Sequence, residues 1–411
     1  MSDSYAHTTT VPGAASMETT QTSGQAIQDA AIPVIDISGD GDQEQVAREL
    51  VDAAVRHGFV YIRSTGKDIP AQAIDDAFAL ARKLFKAPLE EKQSCNIQKN
   101  NRGYSGMHVE TLDPKNQRIG DLKEKPTPRA FNFGEFVNGK AQQPLPPTIA
   151  SDEPQIAEFF AYCHRLSLKL NSLLGIGLGQ AHLPSRGPSG TILRLLRYPP
   201  LSALAAAAQD ATTPSSSNKQ AAPASAADVR AGAHSDYGSL TLLFRLAGQP
   251  GLEVQQILPT DGARAWAPVP VVPAGTESDP SPPVLVNIGD LLSYWTGGLL
   301  RSTLHRVVFP RPGGGPDQQE KAGEEPRYSI AFFCHPVGTF PLEPVPSERV
   351  RAFAAAQQSE SGGGGAGGEE GESNPYAERK VLTADEHLQM RLRASYLDLY
   401  DDNKDAGGQK A

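Results

Sequence analysis

The sequence predicts a mainly β protein with flanking helices, a sandwich or barrel set behind a mixed, helix-rich N-terminal region. From Thr191 onward, short β-branched and apolar runs alternate with Gly and Pro, the pattern of several strands joined by turns. Before that point, apolar residues recur at helical spacing over longer segments. At 411 residues the chain also has room for one large β domain with additions.

Residues 1–30 are rich in Thr, Ser, Ala and Gln and lack periodicity, so they are expected to form a disordered tail with too little apolar surface to offset ordering entropy. Ile32-Pro33-Val34-Ile35-Asp36-Ile37 reads as a strand. Val46, Leu50, Ala54 and His57 make a helical stripe that stops at Gly58, where glycine can turn left-handed. Phe59-Val60-Tyr61-Ile62 reads as the next strand. Helices are expected from Pro70 to Lys86, with Pro at the first turn and Pro88 after the end, and from about Pro154 to Leu174. The strand series then runs through 191–195, 240–244, 252–255, 284–288, 306–309 and 328–333. A last helix is expected from Thr383 to Leu399, where Leu388, Leu392 and Tyr396 recur. Low-complexity stretches at 201–229, 273–283, 311–325 and 358–374 are expected as surface loops, because closure cost grows slowly with length. The chain thus divides into a tail (1–30), a mixed α/β N-terminal region (31–185), a β core (186–345) and a C-terminal loop-and-helix segment (346–411).

A net charge of −9 without a basic stripe argues against nucleic-acid partners. No run approaches the ~18 apolar residues of a membrane span, and the start lacks a basic region followed by an apolar one, so a cytoplasmic monomer is expected. Cys95, Cys163 and Cys334 are scattered without C-x-x-C spacing and read as reduced thiols.

The chemistry concentrates in His234-Ser235-Asp236-Tyr237-Gly238-Ser239. Residues two apart on a strand share a face, so His234 and Asp236 can chelate one ion, and His305 opens another expected strand. Two imidazoles and a carboxylate on one face of an octahedron leave positions open, as oxygen-activating iron(II) sites require. Structural zinc sites are usually closed by a fourth ligand. A surface turn would explain a solitary His-x-Asp, and packing a solitary His305. His57, His108, His164, His182, His335 and His387 are assigned to packing or solvation. Arg327 and Ser329 in Arg327-Tyr328-Ser329 share a strand face and can together grip a carboxylate. Tyr198 could add a phenolic hydrogen bond there or serve as a barrel aromatic.

Ile32-Pro33-Val34-Ile35-Asp36, His57-Gly58-Phe59, Arg197-Tyr198-Pro199, Gly232 through Leu243, Asn287-Ile288-Gly289-Asp290, His305-Arg306-Val307 and Arg327-Tyr328-Ser329 occur in one order. In this the chain resembles the 2-oxoglutarate-dependent dioxygenases related to isopenicillin N synthase and the plant flavonoid and gibberellin oxidases. The resemblance implies a double-stranded β-helix, or jelly roll, with a helical N-terminal region. It implies Fe(II) on His234, Asp236 and His305, and the tail carboxylate of 2-oxoglutarate on Arg327, Ser329 and Tyr198, with ascorbate as an accessory reductant. The implied reaction consumes dioxygen, decarboxylates 2-oxoglutarate to succinate and oxidises a small molecule, most simply by hydroxylation; desaturation and ring closure share its start. An isopenicillin N synthase-type oxidase would instead use the Arg-x-Ser pair for a substrate carboxylate, and a silent binding protein would keep only the fold. Two departures from the relatives stand out: Leu196-Arg197-Tyr198-Pro199 replaces a common Asn-Tyr-Tyr-Pro run, and Ser64-Thr65-Gly66 replaces a second His-Gly. Asn101 through Gly106 resembles the segment that closes over substrate, but its residues name no ligand.

Overall fold

The computed structural model describes residues 28–39, 41–106, 129–179, 188–200, 229–258, 262–309, 325–361 and 381–395. Most of the expected tail, His108, His182, Tyr396 and nearly all of the 201–229, 311–325 and 358–374 stretches lie outside the described residues.

β1 (Val34–Ile35) runs parallel to β2 (Phe59–Ile62), and α1 (Gln43–Arg56) connects them. The first strand is shorter than its sequence suggests, since Pro33 has no N–H to donate and the Asp36 carboxylate turns the chain by accepting from Ser38. The Asp42 carboxylate caps α1 by accepting from the Glu44 and Gln45 amides. The helix stops at Gly58, with φ of 67°. A side chain there would strike the Arg301 carbonyl and the Thr303 hydroxyl, so this glycine admits the segment that leads into His305.

The chain continues through α2 (Ala71–Lys86), α3 (Leu89–Gln93), β3 (Gly103–Ser105), β4 (Arg129–Phe133), β5 (Phe136–Val137), β6 (Lys140–Ala141) and α4 (Glu153–Gly177). Then come β7 (Ile192–Tyr198), β8 (Val229–His234), β9 (Leu240–Arg245), β10 (Leu252–Ile257), β11 (Arg264–Pro268) and β12 (Val284–Ile288). After these lie α5 (Asp290–Trp295), β13 (His305–Val308), β14 (Arg327–Cys334), α6 (Glu348–Ser361) and α7 (Ala384–Ser395). The strands β3 to β6 and β11 and the helices α3, α5 and α6 have no expectation of their own, and β8 is expected only in that His234 and Asp236 are placed on one strand. Most are too short to show a period, and α6 ends inside the stretch whose composition suggested a loop.

Two sheets face each other in the expected jelly roll: an eight-stranded one ordered β1-β2-β12-β9-β14-β7-β4-β3 and a four-stranded one ordered β11-β10-β13-β8. β1 to β4 belong to the larger sheet, so the N-terminal region and the β core share it. Alternation along each strand serves two cores. Phe59, Tyr61, Tyr198 and Leu285 point inward against Leu252, Val254, Ala267 and Val307. Leu242, Phe244, Val286, Ile330 and Phe332 point outward against α1, α2 and α4, with Phe160 edge-on to Phe332 at a centroid distance of 5.0 Å. Phe332 is fully buried, and Phe332→Ala is expected to cost about 3–5 kcal/mol in urea unfolding. Among the described residues no helix is long and apolar enough to cross a membrane.

Candidate metal centre

β8 and β13 pair antiparallel with His234 opposite His305, and this register brings the two imidazoles to a centroid separation of 4.3 Å. Asp236 arrives differently from the sequence argument. The strand ends at His234, so Asp236 stands in the turn toward β9 and alternation along one strand does not place it. Its backbone carbonyl accepts from the Asp290 amide at 2.7 Å, and its Oδ2 accepts from Thr241 Oγ1 at 2.6 Å and Asn287 Nδ2 at 2.7 Å. Gly289 permits this closeness, since a side chain there would collide with the Gly238 carbonyl.

One ligand atom from each of His234, Asp236 and His305 lies within 4.8 Å of the other two. His305 Nε2 is 3.6 Å and His234 Nε2 3.9 Å from Asp236 Oδ1. His234 Nδ1 lies 2.8 Å from the Gly232 carbonyl and His305 Nδ1 3.2 Å from that of Thr303. Carbonyls only accept, so these contacts assign the ring proton to Nδ1 and leave both Nε2 lone pairs facing the shared point. Asp236 Oδ2 is held and Oδ1 faces the histidines. Burial would raise the Asp236 carboxyl, but the His305 and His234 rings and the Thr241 hydroxyl outweigh it and hold the group well below the usual carboxylate range. Burial likewise opposes a charged His305, yet Asp236 raises it above its ordinary value. The point between the three groups therefore favours a cation. Among the described residues the cluster has these three members and no thiolate, an open set unlike a closed zinc site. Thr241→Val and Asn287→Ala are each expected to weaken Fe(II) binding about 10–100-fold in a chelator competition, by releasing Oδ2.

Further along the inner face, Arg327 pairs in register with Tyr198, and its guanidinium carbon lies 5.2 Å from that ring. Arg327 Nε reaches the Pro250 carbonyl at 3.2 Å, whereas Nη1 is buried without a hydrogen-bond partner. Ser329 shares this face and is buried too. Arg245, bonded to the Val269 and Pro270 carbonyls, and Arg230, over the Phe309 ring at 4.3 Å, are also buried. Burial and the neighbouring Arg327 push Arg230 down to about 10. Positive charge gathered on buried side chains favours an anion, and the orphaned Nη1 fits a carboxylate oxygen.

A cavity of about 90 Å³ adjoins His234 and Asp236 and is walled by Tyr198, Asn101, Phe333, His335, Leu388 and Leu392. Arg327 and Ser329 do not line it. His335, assigned to packing, is in fact part of this wall. Leu388 and Leu392 show that the expected last helix, α7, seats against the site. Asp290 ties the parts together: it accepts from Ser302 and Ser235 and pairs with Arg391 of α7 at 2.6 Å. Asn287 enters the sequence reading only as part of the Asn287-Ile288-Gly289-Asp290 run, without a role, although a carboxamide within the otherwise apolar Val284–Ile288 run is a signal for one. Nothing local marked Thr241. His57 ends α1 and His164 belongs to α4, outside the cluster; His387 packs on Tyr294 at 5.6 Å.

Known proteins resemble this chain in sequence and fold. The 2OG-Fe(II) oxygenase superfamily pattern matches residues 213–336, and that of the N-terminal region of the non-haem dioxygenase in morphine synthesis matches 32–146. A UPF0676 protein of Schizosaccharomyces pombe is 34% identical over 325 residues, covering 77% of this chain and 86% of its own. The 2-oxoglutarate-dependent dioxygenase traH of Penicillium crustosum is 27% identical, covering 75% and 85%. Among solved structures, Neurospora crassa T7H in complex with alpha-KG and thymine superposes with a TM-score of 0.61 at 25% identity, over 88% of this chain and 96% of that one. With pattern, relatives, fold and triad in agreement, the chain belongs to the Fe(II)- and 2-oxoglutarate-dependent oxygenase family.

Proposed function

We propose that His234, Asp236 and His305 hold the iron, that Arg327 and Ser329 with Tyr198 hold the tail carboxylate of 2-oxoglutarate, and that the enzyme hydroxylates a small organic molecule. The observation that carries this is the pairing of an open His-Asp-His cluster with a buried guanidinium whose Nη1 lacks a partner, both on the inner face of one barrel. Bound iron and 2-oxoglutarate supply the oxidising chemistry, with succinate and carbon dioxide as products. The chain's own contribution is position. Thr241 and Asn287 fix the Asp236 carboxylate, the Gly232 and Thr303 carbonyls fix both histidine tautomers, and Arg327 orients a carboxylate by its fork. Leu388, Leu392 and Phe333 wall the cavity with apolar surface that limits water beside the triad.

In this reading the chain divides into a tail (1–30), an N-terminal region (31–185), the catalytic core (186–345) and a C-terminal segment (346–411). It works as a cytoplasmic monomer without nucleic acid or membrane. Light scattering at one chain's mass would agree with this, and a dimer would not. The function is tested by metal analysis together with succinate formation from 2-oxoglutarate. Iron and succinate in the same preparation are expected; iron without succinate, across a broad substrate panel, would point to an oxidase that does not use 2-oxoglutarate.

A further inference from the structure

The cavity beside the triad is small. About 90 Å³ is well under the ~300 Å³ at which pockets for drug-sized ligands begin. A second cavity of about 590 Å³ lies among α4, α5 and the chain that follows β14. Leu168, Leu174, Leu292, Trp295, Leu300 and Phe340 make most of its wall apolar. Among the described residues, His335 alone lines both cavities. Its ring stands between two glycines: a side chain at Gly238 would approach Nε2 to 3.1 Å, and one at Gly190 would approach Cγ to 3.4 Å. Glu135 supplies the carboxylate of the larger chamber. It accepts from Ser189 Oγ at 2.7 Å; Ser189 Oγ in turn accepts from the Thr191 hydroxyl at 2.7 Å, and Thr191 Oγ1 accepts from the His335 amide at 3.0 Å. A polar chain thus runs from the chamber to the residue that separates it from the triad.

We infer that the larger chamber receives the apolar body of the substrate, a neutral or cationic small molecule, and that its reacting carbon reaches the triad past the His335 ring. The volume matches a drug-sized ligand, the wall supplies apolar contact, and Glu135 disfavours an anion. This inference rests on the iron and 2-oxoglutarate reading of the triad.

The test uses the full chain with Fe(II) and 2-oxoglutarate under anaerobic conditions. Trp266→Phe leaves Trp295, in the chamber wall, as the only tryptophan of the two. Dansylamide (neutral), dansylcadaverine (cationic) and dansylglycine (anionic) then report binding by energy transfer from Trp295. Saturable transfer is expected with the first two, at least tenfold tighter than with the third. Ser172→Phe, at an exposed position of the wall, should weaken binding tenfold or more while leaving the visible 2-oxoglutarate band of the iron protein unchanged. Glu135→Gln should remove the preference for cation over anion. With Mn(II) in place of iron, the proton resonances of bound dansylamide should broaden relative to the metal-free protein. A protein that shows the band but gives no saturable transfer, transfer indifferent to Ser172→Phe, or unbroadened resonances would overturn the inference. Absence of the band in the parent protein would instead overturn the reading beneath it.

Discussion

Asp236→Ala is expected to abolish both Fe(II) retention and succinate formation. Among the described residues Asp236 is the only carboxylate of the cluster, and both imidazoles converge on it. Its removal leaves two neutral ligands, so the loss of affinity should far exceed the roughly 10–100-fold that an outer partner contributes. Metal analysis after gel filtration reads the outcome directly. Full iron occupancy in Asp236→Ala would place the metal elsewhere. The fold should persist, because the Asn287 and Thr241 donors freed by the change can bond to water in a cavity left by the side chain.

Arg327 gives the second large effect, and it has two signs. Losing a charge-assisted, forked contact costs about 1.5–3 kcal/mol, so Arg327→Ala is expected to weaken 2-oxoglutarate binding roughly 10–150-fold. Arg327→Lys should recover only part of this, since an ammonium cannot form the fork. Without 2-oxoglutarate the guanidinium is a buried charge with an unpartnered Nη1 and with Arg245 nearby, and burial lowers its pKa. Replacing such a group by an apolar side chain of similar volume often stabilises a fold by about 1–4 kcal/mol. Arg327→Met is therefore expected to raise the unfolding midpoint of the 2-oxoglutarate-free protein while losing 2-oxoglutarate binding. A lowered midpoint would mean that Arg327 serves structure rather than ligand.

What was legible in the sequence is what depends on neighbours along the chain. The α1 stripe and its end at Gly58, the β12 run and the long apolar β14 all follow from local periodicity and punctuation. His234 and His305 were recognisable as candidates because each stands at the edge of a strand-like run. The positioning of Asp236 was not legible, because it depends on Thr241 of β9 and Asn287 of β12, which meet it only after the sheet closes. The sequence places His234 and Asp236 on one strand but does not show where that strand starts and stops, because Val229–His234 follows an Ala/Ser-rich stretch and shows little alternation; register shifts opposite Val307 and Val308 break the period further. His335 read as one more packed histidine, since nothing in Cys334-His335-Pro336 foretells that two cavities meet there. The buried Arg245 and Arg230 are not legible either, since each stands just outside an expected element, at the end of the 240–244 run and after the 201–229 stretch.

In the proposed enzyme one barrel interior holds iron at His234, Asp236 and His305 and the 2-oxoglutarate tail at Arg327 and Ser329. Anaerobic titration of the Fe(II) protein with 2-oxoglutarate, followed through the weak visible metal-to-ligand charge-transfer band, tests both halves together. A band is expected that saturates at one equivalent and that in Arg327→Ala needs roughly 10–150-fold more 2-oxoglutarate to develop. No band in the parent protein, or a band that saturates unchanged in Arg327→Ala, would contradict this arrangement.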